Sequence, residues 1–147
     1  MNKTNKGFSL LELLIVVAII LIIATIAIPS LLRSRQAAHE AAAVATLRTI
    51  NTAEVTYLST AAGQFGSLTD LINNQLIASN FVPGPVSGYN FVVQLDTATY
   101  RDFTVFANPA STNDGRYGYY VTPDGTVRYT TVTAMAPTGQ AGQPVSQ

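Results

Sequence analysis

A carboxylate at the edge of a long apolar run constrains this chain more than any other feature. Glu12 stands directly before residues 13–32, a stretch without a charged side chain. At 1.5 Å per residue, a helix over this stretch is about 30 Å long, which matches the hydrocarbon core of a bilayer. A carboxylate beside such a segment is unfavourable unless it has a partner, so Glu12 is a candidate functional residue.

Composition excludes several classes of function. The chain has 147 residues, with eight acidic and eight basic side chains, one histidine and no cysteine. Disulfides and thiolate metal sites are therefore excluded, and nucleic acid is a partner for which the sequence gives no support. Scattered acids and the single histidine, His39, do not form a catalytic triad or a metal centre. The sequence thus predicts neither an enzyme nor a bound cofactor or metal.

Two simple interpretations of the N-terminus leave features unexplained. A secretory signal peptide has a shorter apolar core and a cleavage site of the Ala-x-Ala type, which is absent before Pro29. A single-pass membrane anchor explains the length of the run, but neither Glu12 nor the Gly7-Phe8 junction. Charge does not fix the orientation, because lysines precede the run and arginines follow it.

A third interpretation accounts for all of these features. The segment Lys-Gly-Phe-Ser-Leu-Leu-Glu-Leu-Leu at 6–14, followed by a long apolar run, resembles the prepilin signature. That family comprises type IV pilins and the pseudopilins of type II secretion, and this chain is most like a type IVa-style pilin. The resemblance implies that a leader, residues 1–7, is removed after Gly7. A prepilin peptidase/methyltransferase would then methylate the new terminus at Phe8.

The same resemblance gives roles in assembly to Phe8, Glu12 and Pro29. Glu12 becomes the fifth residue of the mature chain, where the family glutamate pairs with the terminal amine of a neighbouring subunit. Such an amine is mostly protonated near neutral pH, and opposite charges in a dry core are tolerable only together. Proline lacks an amide hydrogen, so either a simple kink or the local melting known from pilin filaments is expected at Pro29.

The resemblance and the hydrophobic pattern together predict an α+β pilin fold. A long helix, apolar in its first half, packs by its second half on a small antiparallel β-sheet head. Two apolar stripes, Leu47-Ile50-Tyr57 and Val44-Leu47-Leu58, fit the buried face equally well. After the leader, the expected segments are a transmembrane or filament-core helix at 8–35, an amphipathic helix at 36–62, a head at 63–133 and a C-terminal tail at 134–147.

Local signals outline the head. Gly63 is a candidate helix stop, and the segment from Ser67 to Asp70 resembles a capping box that begins a short helix. Short connections between the strand candidates favour an antiparallel meander. The uncharged tail is expected to be partly disordered, with a surface strap as the alternative. The strand candidates are 89–95, 102–107, 117–122 and 127–132.

These features predict a structural subunit that polymerises through its N-terminal helix into an extracellular type IV pilus for adhesion, motility or DNA uptake. The expected partners are identical subunits, the lipid bilayer before assembly, an inner-membrane assembly platform and a cytoplasmic ATPase motor. The precursor is expected in the inner membrane and the product on the cell surface. The alternatives are a pseudopilin in a periplasmic pseudopilus and a minor tip pilin that binds a ligand.

Overall fold

The computed structural model describes residues 7–82, 84–130 and 142–145, and the chain divides into two units between Ser34 and Arg35. The division falls inside one long helix, α1, which runs Leu10–Thr60. A five-stranded antiparallel sheet follows in the second unit. The predicted α+β fold, a long apolar helix with a small antiparallel sheet, is confirmed.

In the first unit, α1 is exposed on every side. Leu10 is 81% exposed and Ile22 is 65% exposed, although both side chains are strongly apolar. An 18-residue window of α1 has a mean hydropathy of 3.1. Among the described residues, α1 is the one helix long and apolar enough to cross a membrane. It continues as a helix through Pro29.

In the second unit, α1 packs on the sheet through a face that lies between the two predicted stripes. Leu47 and Ile50 are fully buried at its centre, together with Ala43. Tyr57 and Leu58, which belonged to different stripes, are each partly buried against this core. Residues three and four apart lie on one side of a helix, so the buried face includes residues of both predicted stripes.

The end of α1 and the start of α2 follow local capping rules. The Gly63 amide donates to the Leu58 carbonyl at 3.2 Å, a bond typical of a left-handed helix end. Gly63 has a φ of 80°, the left-handed conformation expected of a glycine that ends a helix. The short helix α2, Leu68–Asn73, begins at a capping box in which the Asp70 amide donates to Ser67 Oγ at 3.2 Å. This predicted capping box is confirmed.

The sheet is a meander in which each strand pairs with the next one along the chain. One face packs on α1, and edge-to-face aromatic contacts such as Phe65–Phe103, at 4.6 Å between ring centroids, fill the core. A single turn of 3-10 helix at Ser79–Phe81 precedes the sheet. The strands are β1 (Tyr89–Leu95), β2 (Phe103–Pro109), β3 (Gly118–Val121), β4 (Val127–Thr130) and β5 (Gln143–Pro144).

The fifth strand is an ordered part of the tail, which agrees with the surface strap that was the alternative and leaves the expected partial disorder untested. Gln143 pairs with Tyr129, and the Tyr129 hydroxyl donates to Gln143 Oε1 at 2.7 Å. The Val145 amide also donates to the Val127 carbonyl at 2.8 Å. Backbone pairing requires no hydrophobic run, so the composition of the tail gave no signal for this strand. The rest of the tail, and the end of the predicted fourth strand, lie outside the described residues.

Candidate assembly site at the N-terminus

The predicted cleavage junction lies in irregular backbone just before α1. Gly7 and Phe8 are not helical, and Phe8 is 79% exposed. A Cβ added at Gly7 would meet no atom within 4 Å. The junction is therefore open to another protein, while the preceding leader residues 1–6 lie outside the described part of the chain.

Glu12 closes a capping box at the start of α1. The Ser9 amide donates to Glu12 Oε2 at 3.0 Å, and the Leu11 amide donates to Ser9 Oγ at 3.3 Å. This reciprocal arrangement satisfies amides that the first turn of a helix leaves without partners. Sequence analysis missed this role, although the Ser-x-x-Glu spacing at 9–12 is its usual signal.

The capping box leaves part of the Glu12 carboxylate available. Oε2 accepts the Ser9 amide, whereas Oε1 has no hydrogen-bond donor among the described residues. Glu12 is an exposed residue, so a second donor can approach it from outside the subunit. The structure thus brings Phe8, Ser9 and Glu12 together at one helix end.

Apolar surface surrounds this polar end. A shallow groove of about 410 Å³ runs along one face of the first turns of α1, and its walls are almost purely hydrocarbon. The third predicted residue, Pro29, lies 17 positions further on, about 26 Å along the helix, and does not belong to this site. The groove is lined by Leu10, Leu13, Leu14, Val17, Ala18 and Leu21.

The second unit contains an ion pair between a buried carboxylate, Glu40, and a half-exposed arginine, Arg116, which sequence analysis missed. Glu40 accepts from the Arg116 backbone amide at 2.9 Å and from Arg116 Nη2 at 2.9 Å. Burial raises the pKa of Glu40, but the hydrogen bonds from Arg116 leave it below its ordinary value. The contact ties α1 to the loop between β2 and β3. Glu40 lies seven positions before Leu47, and this helical spacing was the available signal.

Glu54 is a second missed carboxyl on the buried face of α1. It has no exposed surface, and its Oε2 accepts from the Gly66 amide at 3.0 Å. Its Oε1 is buried and has no hydrogen-bond partner among the described residues. Burial, without a cation in contact, raises the pKa of Glu54 to about 7.

His39, the single histidine of the chain, is largely enclosed by its neighbours. Its Nδ1 lies 3.4 Å from Asp114 Oδ1, and 19% of its side chain is exposed. Gly88 packs closely against it, since an added Cβ there would lie 2.5 Å from His39 Nδ1. Within the described residues, no group of three or more His, Asp or Glu side chains could hold a metal ion.

Comparisons with known proteins match the N-terminal site. Residues 2–28 match the prokaryotic N-terminal methylation motif. This region contains Gly7, Phe8 and Glu12, so the N-terminus of the chain is similar to those that carry this motif.

Part of the chain is similar to a type IV pilin. It is 41% identical over 58 residues to the type IV major pilin protein PilA of Myxococcus xanthus (strain DK1622). The match covers 40% of this chain and 26% of that relative, so it spans about a quarter of the relative's length. No solved structure is significantly similar to the chain. The resemblance to type IV pilins that Glu12 and the Gly7-Phe8 junction predicted is confirmed.

Proposed function

We propose that this chain is a structural subunit of a type IV pilus, made as a membrane-anchored precursor and assembled through the first part of α1. The observation that carries the proposal is the exposed apolar helix with Glu12 at its start. Ordinary soluble monomers expose apolar patches of a few hundred Å² at most. A helix that is apolar on all sides belongs in lipid or in a bundle of similar helices.

The lipid bilayer and the filament core are two apolar environments that can cover this helix. Before assembly the lipid of the inner membrane covers it, and afterwards neighbouring copies of the same helix do. Because both environments are apolar, moving the helix from the bilayer to the filament core changes the hydrophobic free energy little. Packing and electrostatic pairing then decide the direction, with the assembly platform and ATPase motor as the expected source of work.

Processing supplies the partner that Glu12 needs in the filament. Cleavage after Gly7 turns the Phe8 amide into a charged amine, and N-methylation of that amine does not remove its charge. The amine of one subunit would contact the Glu12 carboxylate of a neighbour. Since an unpaired carboxylate in a dry core costs several kcal/mol, this pair favours one axial register over others.

The proposed uses of the filament are adhesion, motility or DNA uptake. The similarity to a major pilin supports a pilus subunit over the pseudopilin of a secretion system. In either assembly the subunit would act through polymerisation and not through catalysis.

Intact mass and N-terminal sequencing of filaments sheared from the cell surface test this proposal. We expect filaments that contain this chain beginning at methylated Phe8. Gly7→Val is the matched control, and it should leave a precursor that retains residues 1–7 and forms no filaments. A processed chain that stays in the cell envelope would favour the pseudopilin, and filaments of chains that keep the leader would overturn the proposed processing.

A further inference from the structure

Arg48 is a cation without an ion-pair partner inside its own subunit. Arg116 and Arg128 pair with Glu40 and Asp124, at 2.9 Å and 2.6 Å. Within the described residues, no carboxylate lies within ion-pair distance of Arg48. Its guanidinium is therefore available to a partner outside the subunit.

Arg48 lines a groove on the head, which we name the basic groove. The groove has a volume of about 390 Å³ and is bounded by α1 and the β3 and β5 region of the sheet. Glu40 also lines it, but its charge is already matched by Arg116. The groove therefore combines small apolar walls with one unmatched positive charge. Its lining residues are Ala37, Glu40, Ala41, Val44, Arg48, Tyr119 and Val145.

The connection between β1 and β2, residues 96–102, has complementary properties, and we name it the acidic loop. It presents Tyr100, which is 42% exposed, together with Asp96, Arg101 and Asp102, so the loop carries one net negative charge. Neither carboxylate has a cation within ion-pair distance among the described residues. Exposed tyrosines flanked by charge are typical anchors of protein interfaces.

The acidic loop is held rigidly. Tyr100 has a φ of 55°, a left-handed conformation that is unfavourable for a residue with a bulky side chain. Two hydrogen bonds hold it there, from its own amide to the Asp96 carbonyl and from the Phe65 amide to its carbonyl, both 2.8 Å. Strained residues persist where the surrounding structure fixes them, often at functional sites. A loop ordered before binding loses little entropy when it docks.

The basic groove and the acidic loop lie at opposite ends of the head. Gly88, just before β1, packs against His39 at the groove end of α1. At the far end of β1 the acidic loop is bonded to Phe65, beyond the C-terminus of α1. The seven residues of β1 separate these ends by about 20 Å.

From this arrangement we propose that the acidic loop of one subunit docks in the basic groove of the next. Tyr100 fills the groove, and Asp102 pairs with Arg48. Because the two surfaces differ and lie at opposite ends, the contact is head-to-tail and repeats without closing, as a helical filament requires. The inference rests on the proposed polymerisation and adds a contact between heads to it.

Disulfide cross-linking tests this contact directly, because the chain has no cysteine of its own. Ala41→Cys places a thiol in the groove, and Ala98→Cys places one in the acidic loop. We expect filaments of this double variant to give a ladder of covalent multimers on mild oxidation. The matched control combines Ala98→Cys with Thr49→Cys, an exposed position on α1 that does not line the groove. It should give no ladder.

A charge exchange covers the case in which the cysteine variants do not assemble. Arg48→Asp should abolish filaments, and Asp102→Arg added to it should restore them. Normal filament yield from Arg48→Asp, failure of the exchange to restore filaments, or assembled cysteine filaments without a ladder would overturn the contact. Absence of filaments from the unaltered chain would instead overturn the proposed function, so the two failures are distinguishable.

Discussion

The two parts of α1 share one helix and differ in almost everything else. Before Arg35 the helix exposes its large apolar side chains, as Leu21 does at 60%. After Arg35 it buries Leu47 completely and places two carboxyls, Glu40 and Glu54, in or beside the core. The first part lacks the partners that would cover it within one chain, whereas the second part has them in the sheet.

This difference separates assembly from folding. Changes in the second part should act on the free energy of unfolding of the head. Changes in the first part should leave that free energy unaltered and act on filament formation. The following predictions either contradict this separation or make it quantitative, and each free energy of unfolding is measured on the full chain in detergent micelles.

The largest effect is expected from truncation of a buried leucine. Leu47→Ala should lower the free energy of unfolding by about 3 kcal/mol, because it removes apolar contacts and leaves a cavity. Leu21→Ala is the matched control, and it should leave the value unchanged. Denaturant unfolding measures both. Equal losses for the two variants would show that the first part of the helix also stabilises the head.

The buried carboxyl of Glu54 should make stability depend on pH. Its folded pKa is about 7 against an ordinary value of 4.5, so the contribution of Glu54 to stability is most favourable below pH 4.5 and is lost as the pH rises through 7. Glu54→Gln keeps an acceptor for the Gly66 amide and removes the charge. It should stabilise the head above pH 7, on the order of 3 kcal/mol, and have little effect at pH 4.

Unfolding curves of both proteins between pH 4 and pH 8 measure this effect. The difference between them isolates Glu54 from other titrating groups. A difference that does not change with pH would contradict a buried, unpaired carboxyl.

A smaller effect is expected from the ion pair between Glu40 and Arg116, which connects α1 to the loop between β2 and β3. Glu40→Ala leaves the Arg116 backbone amide without its acceptor and should cost about 2 kcal/mol. Asp124→Ala removes a local pair with Arg128 whose carboxylate is more exposed than that of Glu40, and it should cost at most about 1 kcal/mol. Thermal unfolding compares the two variants. A larger loss from Asp124→Ala would show that the contact across 76 positions contributes little.

Sequence reasoning succeeded where one local pattern dominated the outcome. The capping box at Ser67 and the strand Tyr89–Leu95 follow from short-range rules, and the structure has both. It failed where tertiary context decides. Glu40 and Glu54 were missed because carboxylates are rarely buried. Their partners, Arg116 in the loop between β2 and β3 and Gly66 between α1 and α2, come close to them only through tertiary folding.

At the N-terminal site, sequence reasoning predicted one role of a residue and missed another. The resemblance pointed to Glu12 as an assembly residue, and the local role of Glu12 with Ser9 became evident only from the geometry. A capping role and a pairing role require different properties of one side chain. Capping needs an acceptor oxygen, whereas pairing with an amine needs a negative charge.

Glu12→Gln therefore tests the separation of assembly from folding most directly, since it keeps the acceptor and removes the charge. The measurement is the yield of sheared filaments, made beside the free energy of unfolding of the head and the intact mass of the processed chain. We predict normal processing and an unaltered head, with filament yield strongly reduced. Wild-type filament yield from Glu12→Gln would contradict the proposed charge pair between subunits.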